Sequence, residues 1–135
     1  MLFRSYDAKR LNMLLAVIEK RLGVKIYTKD VFVNIAGGIR VQDPAIDLAV
    51  VAAILSSTFD LYIPNNYCFA GEIGLTGEVR TVPQLEKRVK EAAKLGIEKM
   101  FVPPCDVENK SRCQVVHCAR IDKTFREIFK NKTEE

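Results

Sequence analysis

The residues of this chain whose types and spacing could do chemistry are four thiols, one imidazole, a run of glycines and several clustered cations. Cys105, Cys113 and Cys118 lie close to His117, with Cys68 apart. Sulfur and imidazole are the ligands of structural zinc. Zinc is ordinarily gripped by two close pairs of the Cys-x-x-Cys kind, however, and these positions offer no such pair. They read as free thiols packed in or near the core, with no metal site. Gly71, Gly74 and Gly77 recur at every third position and invite comparison with a phosphate loop. No Lys-Ser/Thr follows and no long helix opens directly behind them, so they read as turn glycines, and Gly37-Gly38 fails the same test. Cations collect at Lys9-Arg10, Lys20-Arg21 and Lys87-Arg88-Lys90-Lys94. Arg40 and Arg80 stand alone at predicted strand or loop edges, where a guanidinium can meet a phosphate or a neighbouring subunit's carboxylate.

The elements that must position these groups follow from periodicity. Leu11, Leu14, Leu15, Ile18 and Leu22 form one apolar stripe, which predicts a helix from Asp7, its cap, to Gly23. Val24 to Tyr27 and Val31 to Ile35 predict two strands about the turn Thr28-Lys29-Asp30, followed by a hairpin or bulge at Gly37-Gly38. Asp43-Pro44 is a helix start, because an aspartate accepts from free amides and proline already has the helical φ. The helix runs to about Thr58 and is apolar nearly all round, so it is the central core helix. Asp47 within it needs a cationic partner, for which Arg80 or Arg40 is the expectation. Cys68 to Ile73 and Glu78 to Arg80 read as short strands around Leu75-Thr76-Gly77. Leu85, Val89, Ala92, Ala93 and Leu95 predict an amphipathic helix closed by Gly96, with the basic run on its outer face. Lys99 to Val102 and Gln114 to His117 read as strands, and Ile121 to Phe129 as a final helix with Phe125, Ile128 and Phe129 inward. Interleaved helices and strands predict an α/β fold, or α+β sandwich.

Two segments carry a family resemblance. They are Arg40-Val41-Gln42-Asp43-Pro44-Ala45-Ile46-Asp47 and Gly71-Glu72-Ile73-Gly74-Leu75-Thr76-Gly77-Glu78-Val79-Arg80, the second running on to Gln84-Leu85-Glu86-Lys87-Arg88. Together they resemble the proteolytic domain of Lon-type proteases, and more closely the Lon-like C-terminal domain of the RadA (Sms) family of bacterial recombination and repair proteins. The likeness runs from about Tyr6 to Pro104. The fold it implies is that of the Lon proteolytic domain, related to the ribosomal protein S5 domain 2-like architecture. Ala45 falls where Lon carries its nucleophilic serine and Glu86 where it carries its lysine. A serine-lysine dyad needs a hydroxyl and a buried neutral amine. Ser56 and Ser57 do not substitute, because they lie roughly 16 Å further along the same helix. Lys87 points roughly 100° away from Glu86.

The resemblance thus implies a non-catalytic domain of a larger protein. RadA-family proteins combine a four-cysteine zinc finger, a RecA-like ATPase core and this domain. They form hexameric rings on DNA and drive branch migration in homologous recombination. ATP, magnesium and zinc are expected only in parts absent from this sequence, since it contains neither a Walker A pattern nor a Cys-x-x-Cys pair. For this chain the implied partners are its own copies and DNA, held weakly by one domain alone, with no membrane and a cytoplasmic setting. The DNA-facing residues expected are Arg40, Arg80, Lys87 and Arg88. Two other readings stand beside this one: a Lon-like serine peptidase with an unrecognised nucleophile, and an oligomerisation module without DNA contact. The 135 residues are 48% hydrophobic, the formal charge is only +4, and no apolar run approaches membrane-spanning length. One domain is expected over residues 1–130, with a frayed tail at 131–135.

Overall fold

The structure, a computed structural model, describes residues 8–24, 44–107 and 112–129. The predicted strands around Tyr27 and Ile35, the glycine pair at 37–38, Arg40, the caps Asp7 and Asp43 and the tail at 131–135 lie outside the described residues.

The first helix, α1 (Ala8–Leu22), follows the predicted stripe: Leu11, Leu14, Val17 and Ile18 are buried, and Gly23 N–H closes the end on Glu19 O at 3.1 Å. Pro44–Ile46 forms a single 3-10 turn that leads directly into α2 (Asp47–Phe59). Proline suits this first turn because it lacks the donor that would otherwise go unpaired. Leu48, Val51, Ala52 and Leu55 are buried, as the all-round apolar sequence of α2 requires.

Among the described residues three parallel strands form one sheet: β1 (Tyr67–Phe69), β4 (Lys99–Val102) and β5 (Gln114–His117), in the order β1-β4-β5. Phe69 pairs with Phe101 and Val102 with His117. A two-stranded antiparallel ribbon, β2 (Glu72–Ile73) with β3 (Val79–Arg80), and the helix α3 (Leu85–Lys94) occupy the connection from β1 to β4. The last described helix, α4 (Ile121–Ile128), ends at the buried Phe129. The fold class is therefore α/β, as expected.

Successive side chains of β4 point to opposite faces, and they join two apolar clusters. Phe101 packs with α1, α2 and α4, where it stacks on Phe69 at 5.1 Å and meets Tyr67 at 5.6 Å. Met100 and Val102 pack on the other side with Val115 and with Leu85, Val89 and Ala92 of α3. The sheet is covered by α1, α2 and α4 on one face and by α3 on the other.

Several expectations need correction. Cys68 to Ile73 is not one strand. The chain leaves the sheet at Ala70-Gly71 because Gly71 must dock on the start of α2: its N–H donates to Ala45 O at 2.9 Å, and its carbonyl accepts from Leu48 N–H at 3.1 Å. Only Gly77 of the three glycines has a positive φ, at +85°, which its turn demands. Gly71 is there for close approach: an added Cβ would lie 2.7 Å from Val79 Cγ1. Leu95 is 78% exposed rather than inward, because α3 ends at Lys94 and the chain turns away through Gly96. Phe125 is only partly buried, between the rings of Phe59 and Phe129.

Asp47 is also met differently. It is fully buried, and the cation beside it is Arg10 of α1 rather than Arg80. Arg10 Nε donates to Oδ1 at 2.7 Å, Arg10 Nη2 donates to Oδ2, and the Ile73 N–H donates to Oδ2 at 3.0 Å. This bidentate pair fixes α1, α2 and β2 together.

Candidate nucleic-acid interface

The placement of α3 decides what its cations can do. Leu85, Val89 and Ala92 recur at four and three residues and are buried against the sheet. Helical geometry then directs Glu86, Lys87, Lys90, Glu91 and Lys94 outward. Arg88 is half-buried, and its Nε donates to Pro83 O at 3.0 Å across the first turn. An open groove of about 930 Å³ runs along the helix, lined by Lys87, Arg88, Lys90 and Lys94 together with Cys68 and Met100 from the sheet. Among the described residues four cations and one carboxylate, that of Glu91, line it, so this lining is electropositive. A Lys90–Glu86 pair at 3.7 Å and a Lys94–Glu91 pair at 3.7 Å offset part of that charge. Both pairs are exposed, and such pairs contribute only about 0.3–0.5 kcal/mol, so a phosphate can take over either lysine at little cost. Lys87 has no ion pair among the described residues.

Lys87 and Arg88 thus share one groove, while Arg80 stands elsewhere, on β3. Its Nη2 lies 3.2 Å from Glu78 Oε1 and its Nη1 3.9 Å from Glu72 Oε1. Glu72 Oε1 is in turn 4.0 Å from Arg10 Nη2, and Arg10 holds Asp47. Arg80 is thus part of an alternating chain of charge, Glu78, Arg80, Glu72, Arg10 and Asp47, that ties β2 and β3 to α1 and α2. The ribbon is anchored on its other side by backbone bonds: Val79 N–H to Ala119 O at 2.8 Å, and Ile121 N–H to Gly77 O at 2.9 Å. Arg40 lies outside the described residues. Lys90 and Lys94 join the groove as well, although sequence alone read their run as a solvated helix face.

The two positions aligned with the Lon dyad differ sharply in environment. Ala45 is 2% exposed in the apolar cluster that contains Leu85. Glu86 is exposed and pairs with Lys90. Ser56, on α2, donates its hydroxyl to Leu61 O. No described side chains place a hydroxyl and a buried amine together at these positions.

All four cysteines are free thiols. Burial, with Cys113 nearby, pushes the Cys68 thiol up to about 11, and burial also raises Cys113 and Cys118. Cys105 Sγ lies 3.7 Å from His117 Nδ1, a pairing that the irregular spacing along the chain does not reveal. Among the described residues no three His, Cys, Asp or Glu side chains gather as a metal site, and no helix is long and apolar enough to cross a membrane.

Comparison with known proteins gives a consistent result. Residues 8–106 match the family model described as subunit ChlI of Mg-chelatase. The chain is 46% identical over 98 residues to the DNA repair protein RadA of Chlamydia trachomatis, covering 73% of this chain and 22% of that protein. It is 42% identical over 123 residues to the DNA repair protein RadA of Bacillus subtilis, covering 89% and 27% respectively. With RadA of Streptococcus pneumoniae the identity is 40% over 126 residues, covering 91% and 30%. The matched stretch is therefore under a third of the length of each of these relatives.

Proposed function

The chain belongs to the Lon-like family whose model is subunit ChlI of Mg-chelatase, and from that premise we propose that it serves as the non-catalytic Lon-like domain of a RadA-type DNA repair protein. In this reading it is a scaffold that packs beside its own copies in a hexameric ring and offers an auxiliary surface to DNA during recombination and branch migration. ATP hydrolysis with magnesium, and zinc binding, belong to other domains of such a protein, and the setting is the cytoplasm. Two features support the absence of peptidase chemistry: position 45 is a buried alanine and position 86 an exposed glutamate.

The observation that carries the DNA contact is the gathering of Lys87, Arg88, Lys90 and Lys94 on one groove. Lys90 and Lys94, held by weak exposed pairs, exchange readily onto phosphates, and each phosphate contact made in the groove releases counterions. Four such contacts on duplex DNA give a slope of log affinity against log salt of about −3.6. One domain binds weakly, because ring avidity is lost. The test is fluorescence anisotropy of a labelled duplex titrated with the protein between about 50 and about 200 mM salt. The double variant K87E/R88E lowers affinity and brings the slope about 2 units closer to zero. An unchanged affinity and slope would remove the α3 groove from the DNA path.

A further inference from the structure

The Cys105 and His117 pair takes no part in the α3 groove or in the Arg10–Asp47 pairing, and its surroundings set it apart from the other sulfur groups. His117 ends β5 and Cys105 follows β4 by three residues, so both stand at the carboxyl ends of adjacent parallel strands. That edge is where loops of an α/β sheet present reactive groups. Between Val102 and Cys105 come Pro103, which is buried, and Pro104, which is exposed. Two prolines fix two φ angles in succession, which holds Cys105 in place before any ligand arrives. Cys105 Sγ lies 3.7 Å from His117 Nδ1, within range of a sulfur hydrogen bond. Cys105 is half-buried and His117 is exposed, so a small reagent can reach both. An open groove of about 520 Å³ along β5 reaches His117, with Lys99, Lys123 and Glu127 among its other lining groups.

We propose that Cys105 and His117 form a thiol-exchange site, at which the domain takes up one half of a low-molecular-weight disulfide of the glutathione type. The Cys105 S–H gives its proton to His117 Nδ1, with the other ring proton on Nε2. The resulting thiolate attacks one sulfur of the disulfide. A new sulfur–sulfur bond forms to Cys105 as the old one breaks, and the departing thiolate takes the proton from the imidazolium and leaves as a free thiol. The incoming disulfide is the only oxidant needed.

The remaining thiols are poor competitors. Cys113 and Cys118 are buried. Cys68 is held protonated up to about 11, so near neutral pH only on the order of one molecule in a thousand or fewer carries its thiolate.

The test treats the protein with oxidised glutathione near neutral pH and maps the adducts by peptide mass spectrometry. One glutathionyl group per chain is expected on Cys105, with the other three thiols slower by about 100-fold. Cys105→Ser abolishes the fast reaction. His117→Ala slows it by about tenfold, and added imidazole restores the rate, which a merely structural role for the ring would not produce. Modification first at Cys68, or an unchanged rate in His117→Ala with circular dichroism matching the parent, would overturn the proposal.

Discussion

Replacing Asp47 by asparagine tests the charge arrangement at the centre of the fold. The side chain keeps its shape and loses its charge. Asp47 is fully buried, and its carboxylate accepts from Arg10 Nε at 2.7 Å, from Arg10 Nη2 and from the Ile73 N–H at 3.0 Å. An asparagine can still accept from Ile73, but its amide N–H₂ then faces the guanidinium, donor against donor. Breaking one side of a buried pair costs about 3–5 kcal/mol. The Arg10 side chain is 26% exposed, and Glu72 Oε1 stands 4.0 Å from it, so water and Glu72 recover part of its charge interaction. The lower end, about 3 kcal/mol, is therefore expected for Asp47→Asn. At about 3–5 °C per kcal/mol for a chain of this length, the melting temperature falls by about 9–15 °C. Arg10→Met should cost at least as much, because it leaves the fully buried carboxylate without its guanidinium. The double variant Arg10→Met with Asp47→Leu should recover part of the loss, since two apolar groups need no counter-charge while the buried Ile73 N–H still loses its acceptor. Thermal melts followed by circular dichroism, with urea titrations to confirm an unchanged m value, measure all three. A loss below about 1 kcal/mol in Asp47→Asn, or additive losses in the double variant, would refute the pairing as a determinant of stability.

Other outcomes follow from single contacts. Gly71→Ala should cost about 1–3 kcal/mol, because its Cβ would press on the buried Val79 at 2.7 Å. Gly74→Ala is the control, costing no more than about 0.5 kcal/mol, since its Cβ meets only the movable ends of Glu78 and Arg80; equal losses in urea titrations would refute the distinction. Stability should also fall in alkali. The unfolded Cys68 thiol loses its proton near 9.0 and the folded one near 11. Between those values the unfolded chain binds fewer protons, so the stabilisation present below about pH 9 is lost as pH rises toward 11. Cys68→Ala should flatten this decline by about 1 kcal/mol, read as the difference between urea midpoints measured across that interval; an unchanged decline would exclude Cys68 as its source.

Local pattern carried much of the fold. The stripe from Leu11 to Leu22, the alternation from Lys99 to Val102 and the run from Gln114 to His117 each depend on neighbours within a few residues, and these elements stand where periodicity puts them. Long-range pairing was the part that local windows could not reveal. Arg10 and Asp47 are 37 residues apart, and no spacing rule selects Arg10 over Arg80. The break at Gly71 arises from the start of α2 pressing on its backbone, which is again a tertiary demand. The basic run of α3 was visible in the sequence, but the groove was not, because Cys68 and Met100 complete it from other strands. Cys105 and His117 meet for the same reason, through the parallel register of β4 and β5.

The position of β4 between β1 and β5 has a consequence for motion. Its backbone is bonded to a strand on each side, and its side chains enter both apolar clusters. Amide hydrogens of Met100 to Val102 can therefore exchange with solvent only when both clusters open together, and they should be among the slowest to exchange in the chain. The α3 groove and the Arg10–Asp47 pair lie on opposite sides of that strand. A lesion on either side should be felt on the other as a common loss of protection along β4, so one strand reports the integrity of both faces.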